Sequence, residues 1–254
     1  MTALMSDWKY SSLNIVIDEY IDHPNGKLVM ADAKSYWEKY YAEKKFVDGK
    51  APTQFLVDMV PRLQKGKVLD VAMGEGSNAC YLAQKGFEVK GFDISKTAVE
   101  RAKSLSKEMN LTIDAQSADL DLYIMGLMEY DTIIMTYFRP GVKRYYSNII
   151  SALKQGGTLL VHSHTTQQMG EAIGRDEDFR NFYYSSNELL QNLAGMRILF
   201  YQEGLVDGKH IVQCLAQKPV EKDAAKLGIF DMHTKGHEKT KSKQLELAEN
   251  LFKK

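Results

Sequence analysis

The chain has 254 residues, 44% hydrophobic and 26% charged, enough for one large α/β domain with its own core plus appendages. No stretch approaches the length of a membrane span, and the opening MTALMSDWKYSS lacks the basic and apolar regions of a secretory leader, so a cytoplasmic location is expected. Lys plus Arg and Asp plus Glu number 33 each, a balance without the basic excess of a nucleic-acid binder. It argues for a small-molecule substrate, with neither nucleic acid nor membrane as partner.

Residues 1–31 read as an N-terminal extension, with an apolar Leu13–Ile17 run and a His23-Pro24-Asn25-Gly26 turn that fit a short hairpin or an extended arm. From 31 to 42 the segment ADAKSYWEKYYA is helix-compatible and groups Tyr36, Trp37, Tyr40 and Tyr41 at helical spacing, a pattern usual for core. A second helix is predicted from Ala51 to about Pro61, with Pro52 near its start and Phe55, Leu56 and Met59 on one face.

The stretch Lys67 to Ser95, KVLDVAMGEGSNACYLAQKGFEVKGFDIS, predicts strand, loop, helix, strand. An apolar run, Val68 to Ala72, enters a turn with glycine at 74 and 76, so the backbone can approach a ligand and the following helix presents free N–H groups. Asp93, ending the second apolar run, is placed to accept from the hydroxyls of a ribose. Asp70, at the end of the first strand, would repel a pyrophosphate and suits a ligand with a cationic amino group. Ala79 replaces the third glycine of a dinucleotide fingerprint, which disfavours NAD.

These residues resemble the class I S-adenosylmethionine-dependent methyltransferases, and within them the tellurite-resistance (TehB-type) branch, whose pattern is LDxxxGEGRNAxxLA followed by GxDxS. The chain reads Leu69-Asp70, Gly74-Glu75-Gly76-Ser77-Asn78-Ala79, Leu82-Ala83 and Gly91-Phe92-Asp93-Ile94-Ser95, with Ser77 where the family carries Arg. The resemblance covers roughly 36–219. It implies a Rossmann-like, seven-stranded, mostly parallel sheet with helices on both faces, and S-adenosylmethionine as cofactor. Asp70, Ala72, Gly74, Gly76, Asn78, Asp93 and Ile94 would line the cofactor, with Trp37 and Tyr41 of the aromatic segment lying over cofactor or substrate.

Downstream, Ser95 is a plausible N-cap for a helix from Thr97 to Met109, and Leu111–Ile113 begins a third strand. In the family the next segment holds the adenine, which assigns Asp119 and Leu120 here. Tyr130–Thr136 is the fourth strand, ending in Tyr137-Phe138-Arg139-Pro140, so Thr136 reaches the cofactor and Tyr137 and Arg139 the substrate crevice. The Asn/Asp-Pro-Pro-Tyr motif of base methylases is absent there.

A helix from Lys143 to Leu153 stops at Gln155-Gly156-Gly157 and leads into a fifth strand, Thr158–His164, whose alternation puts His162 and His164 on one face as candidate bases. The polar connection 165–184 is long enough to be functional. Arg175 and Arg180 within it are candidates for an anionic acceptor, which the resemblance makes an oxyanion such as tellurite or selenite. The family pattern also matches Gln168, Gly174, Phe179, Glu188-Leu189 and His210.

Ser185–Glu188 reads as a capping box for a helix through Leu193, and 196–218 as a closing antiparallel pair turning at Asp207-Gly208. Cys80 and Cys214 read as buried small residues, not a disulfide. Residues 220–254 form a charged tail with a helical stripe at Leu245, Ala248, Leu251 and Phe252, a candidate homodimer contact. His233 and His237 lack further ligands nearby, so no metal site is expected. The expectation is a methyltransferase acting on a small, anionic acceptor through domain 32–219, against the alternative of a cofactor-binding protein without methyl transfer.

Overall fold

In the computed structural model the described residues are 20–21, 29–30, 33–43, 46, 49–169 and 182–220. Seven strands form one sheet: β1 (Lys67–Val71), β2 (Glu88–Asp93), β3 (Asp114–Ser117), β4 (Tyr130–Thr136), β5 (Leu153–His164), β6 (Arg197–Val206) and β7 (Lys209–Gln217). Their spatial order is β3-β2-β1-β4-β5-β7-β6. The first five run parallel, and β7 is antiparallel to both β5 and β6. The order therefore reverses between β1 and β4, which opens a crevice at the carboxyl ends of those strands.

Strand alternation divides the core in two. Leu69, Val71, Ile133, Met135, Leu159, Val161, Val212 and Cys214 face α5 (Lys143–Ala152) and α6 (Glu188–Asn192), where Tyr146, Ile149, Leu189 and Leu193 pack. Val68, Ile134, Leu160 and Leu215 face α2 (Gln54–Met59) and α3 (Ser77–Gln84), against Phe55, Leu56, Ala79 and Leu82. Because both faces are covered, the central strands read as continuous apolar runs in the sequence. Cys80 and Cys214 are buried and unpaired. Helix α1 (Ala33–Glu43) carries the aromatic segment, and α4 (Lys96–Glu108) follows β2 with the Ser95 hydroxyl accepting from the Ala98 N–H at 3.1 Å.

Three expectations shift. The third strand starts at Asp114 and not at Leu111, because Asn110 turns into the left-handed region and the Leu111 N–H still bonds the Ser106 carbonyl at the helix end. The fifth begins at Leu153, since Gly156 and Gly157 exchange backbone hydrogen bonds with Lys218 and extend the ladder instead of stopping it. The capping box is partial: Asn187 is the N-cap of α6, and only the Glu188 carboxylate reaches back, to the Ser185 N–H. Tyr20–Ile21 pairs antiparallel with Val29–Met30 across the predicted turn. The tail with its stripe, the dimer contact placed on it, and His233 and His237 lie outside the described residues. Among those described, no helix is long and apolar enough to cross a membrane, and no three His, Cys, Asp or Glu side chains are grouped to hold a metal.

Candidate functional site

The turn after β1 is shaped by backbone that side chains ordinarily avoid. Ala72 sits at φ 54, and Gly74 and Gly76 at 54 and 81. An alanine held there carries strain that surrounding structure must maintain, as functional turns often do. At Gly74 a Cβ would stand 2.8 Å from the Tyr41 hydroxyl, and at Gly76 one would stand 2.6 Å from Ala102 Cβ. The missing side chains thus let α1 close over the turn and α4 against it. Glu75 faces away and ties the turn down, accepting from the Phe46 N–H at 2.7 Å and pairing with Arg101 at 2.8 Å.

Beneath this turn lie two carboxylates in different circumstances. Asp93 is buried, and each oxygen accepts one backbone N–H, from Gly74 and from Ser95, both at 2.9 Å. Burial pushes its acidity down, the two N–H groups act against that, and the Glu38 charge adds to the burial effect. A carboxylate has further lone pairs, so the hydroxyls of a ribose remain acceptable partners. Asp70 is fully buried, and neither oxygen has a hydrogen-bond partner among the described residues. Burial first, and the nearby Asp93 charge second, hold its pKa well above the usual range. A buried acid left this way calls for a cation or a donor.

Glu38, which the sequence reading passed over, locks α1 in place. Its carboxylate accepts from the Ser95 hydroxyl at 2.8 Å and from the hydroxyl and N–H of Thr97, and these bonds, Thr97 foremost, lower its pKa. An acid inside an aromatic stripe was the available signal. Trp37 and Tyr41 sit on the same helix, with Trp37 6.1 Å from both the Tyr41 and Phe182 rings.

Other predicted residues have protein partners of their own. Asn78 brackets two elements: its carbonyl accepts from the Thr53 N–H and its amide donates to the Thr136 hydroxyl, each at 2.9 Å. The exposed Asp119 carboxylate accepts from the Asp121 N–H and stabilises its own turn. Leu120 packs on the core, and Ile94 is half-buried beside Asp93. Arg139 pairs with Glu188 at 2.7 Å, both largely buried.

At the ends of β4 and β5 the crevice is aromatic. Tyr137 lies at φ 53, its N–H donates to the His162 carbonyl at 2.7 Å, and its ring is 5.0 Å from His162 and 5.1 Å from His164. Phe55 stacks on His162 at 5.9 Å, and Tyr183 lies 5.8 Å from His164. Burial, then the charges of His164 and Lys209, lower the pKa of His162 to about 4. Burial and Lys209 lower that of His164, against a contact with the His210 backbone. His162 Nδ1 lies 3.2 Å from the Gln213 amide nitrogen, whereas His164 Nδ1 is buried without a hydrogen-bond partner among the described residues. Arg175 and Arg180 lie outside the described residues.

Residues 68–157 match the family model described as Methyltransferase domain. The chain is 36% identical over 96 residues to the 23S rRNA (uracil(747)-C(5))-methyltransferase of Pyrococcus horikoshii, covering 38% of this chain and 22% of that protein. It is 31% identical over 150 residues to the ribosomal protein L11 methyltransferase of Dictyoglomus thermophilum, covering 58% and 47%. The chain thus spans less than half the length of these curated relatives. The crystal structure of TehB from Haemophilus influenzae superposes with a TM-score of 0.56 at 23% identity, covering 72% of this chain and 67% of that one, a likeness of fold. The orphaned carboxylate of Asp70 and the Gly74–Gly76 cradle fit a cationic, nucleoside-bearing ligand. Over residues 68–157 the chain carries a methyltransferase domain, set on a Rossmann-like methyltransferase fold, and S-adenosylmethionine is the cofactor this match indicates.

Proposed function

We propose that the chain transfers a methyl group from S-adenosylmethionine to a small acceptor held at the carboxyl ends of β4 and β5. The observation that carries this reading is Asp70: a fully buried carboxylate, unpartnered, beneath a glycine turn and beside Asp93. When bound, the cofactor supplies a methyl group on a cationic sulfur, already a strong electrophile. The protein then has to orient the acceptor, exclude water and accept a proton.

Asp70 balances the cationic end of the cofactor and Asp93 accepts from its ribose hydroxyls. Tyr137, Tyr183 and the α1 aromatics supply apolar walls. Of the two histidines, His162 is held by its Nδ1 contact with the Gln213 amide, which donates to it and leaves the ring proton on Nε2. His164, neutral at pH 7 and with its Nδ1 buried and unpartnered among the described residues, would take up the proton that the acceptor gives up on methylation. His162 is then a positioning residue.

Since one relative is named for rRNA and another for a ribosomal protein, balanced charge is no argument against a macromolecular acceptor. The small-acceptor reading rests on the aromatic enclosure of His164. An oxyanion of the tellurite-resistance type, bound by Arg175 and Arg180, rests on the sequence resemblance alone.

The test is calorimetric titration of S-adenosylmethionine, S-adenosylhomocysteine and NAD into the purified chain and an Asp93→Ala variant. Micromolar binding of both sulfur compounds, weakened in the variant and absent for NAD, is expected. No binding of either sulfur compound overturns the proposal.

A further inference from the structure

We propose that Lys209, the first residue of β7, anchors the anionic group of a flat apolar acceptor, such as an aromatic carboxylate, beside His164. The inference rests on the methyl-transfer reading above and adds the acceptor's charge class.

Placement follows from strand register. His162 lies opposite Gln213 and His164 opposite Ile211, so these four share one face, as the contact between His162 and Gln213 requires. Lys209 is two residues before Ile211 on β7 and by alternation lies on that same face, one step beyond His164. His210 and Thr165 fall on the other face.

Lys209 is exposed, and its ammonium pairs with no carboxylate of the described residues. Asp207 is the acid on the preceding turn, itself exposed. The lysine's charge nevertheless reaches both imidazoles, which stay neutral beside it. Among the described residues the result is a cation without a counter-charge, next to a buried and unpartnered His164 Nδ1, between the rings of Tyr137 and Tyr183. Such a site disfavours cationic acceptors and gains from an anion, whose charge offsets the lysine while its apolar body fills the aromatic walls.

The test titrates benzoate and its neutral isostere benzamide into the full chain saturated with S-adenosylhomocysteine, followed by calorimetry and by the imidazole nitrogen signals of His164. Benzoate is expected to bind saturably and shift the His164 signals, with benzamide at least about tenfold weaker. Lys209→Met, at an exposed strand start, is expected to lose about tenfold in benzoate affinity, and Lys209→Arg to stay within about threefold. Equal binding of the two probes, no binding of benzoate, or unchanged affinity in Lys209→Met overturns the assignment. Failure of S-adenosylhomocysteine to bind would instead overturn the methyl-transfer reading, and the benzoate arm on unsaturated protein would still decide the subsite.

Discussion

The two halves of the crevice are built on opposite plans. On the β1–β2 side nearly every acid is already committed to a protein partner: Asp93 to the Gly74 and Ser95 N–H groups, Glu75 to the Phe46 N–H and the Arg101 guanidinium, Glu38 to the Ser95 hydroxyl and to Thr97 at the start of α4. Asp70 alone among these acids is left over. On the β4–β5 side the groups are aromatic rings and neutral imidazoles, with Lys209 nearby as a charge that no described carboxylate pairs. A shared cofactor needs a rigid cradle with one electrostatic demand, whereas the acceptor half is free to vary. The family match, residues 68–157, takes in β4 and the start of β5 but stops short of His162, His164 and Lys209.

The largest expected effect tests the leftover acid. Asp70→Asn removes the charge with little change of shape, and loss of a buried charge partner costs roughly 3–5 kcal/mol, so affinity for S-adenosylmethionine should fall roughly thousandfold. The free protein should become more stable at neutral pH, because folding no longer has to hold a carboxyl whose pKa burial raises above its unfolded value. Wild-type binding should also release protons, since a cation draws Asp70 back to its ionised form. Titration calorimetry in buffers of different ionisation heat, with thermal melts of the variant, checks all three. Unchanged affinity in Asp70→Asn would mean the cation is held elsewhere.

Next in size is the pH response of the acceptor half. His162 protonates near 6.5 when unfolded and at about 4 when folded. Between those values the unfolded chain binds more protons, so stability falls as pH drops through this window, by on the order of 3 kcal/mol from this residue. His164, lowered in the same direction, adds to the loss, while the raised acid Asp70 opposes it. The measurement is therefore a difference: denaturant unfolding at pH 7 and pH 4.5 for wild type and His162→Gln, the variant being expected to show the shallower pH dependence.

Legibility follows the same division. The glycine turn, Asp70 and Asp93 stood out because backbone approach and charge placement restrict residue type at fixed spacing. The strands were readable because both sheet faces are covered. Asn78 matched the motif equally well, and its amide also bonds Thr53 and Thr136, a second engagement that no one-dimensional pattern shows. Lys209 and Gln213 reach the histidines only through cross-strand register, and Glu38 reaches Ser95 across 57 residues. Asn78→Ala sharpens this point: it should cost about 2 kcal/mol of stability through two lost hydrogen bonds, while cofactor affinity changes less than about fivefold. A large affinity loss at unchanged stability would return Asn78 to the cofactor.

The smallest effect concerns Arg139, which the strand-end position offered as a substrate ligand. Its guanidinium instead meets Glu188 through Nε at 2.8 Å and Nη2 at 2.7 Å, and the same Glu188 bonds the Ser185 N–H. The pair is largely but not wholly buried, at 16% and 19% side-chain exposure, so screening leaves it about 1 kcal/mol. Arg139→Ala should therefore lower stability by about that much, loosen α6 through its N-terminal bond, and leave the KM for any acceptor found by screening nearly unchanged. A rise in KM of tenfold or more, without loss of stability, would show that the arginine leaves Glu188 when acceptor arrives. The acceptor half would then have two cations, and the anion would be shared between Lys209 and Arg139.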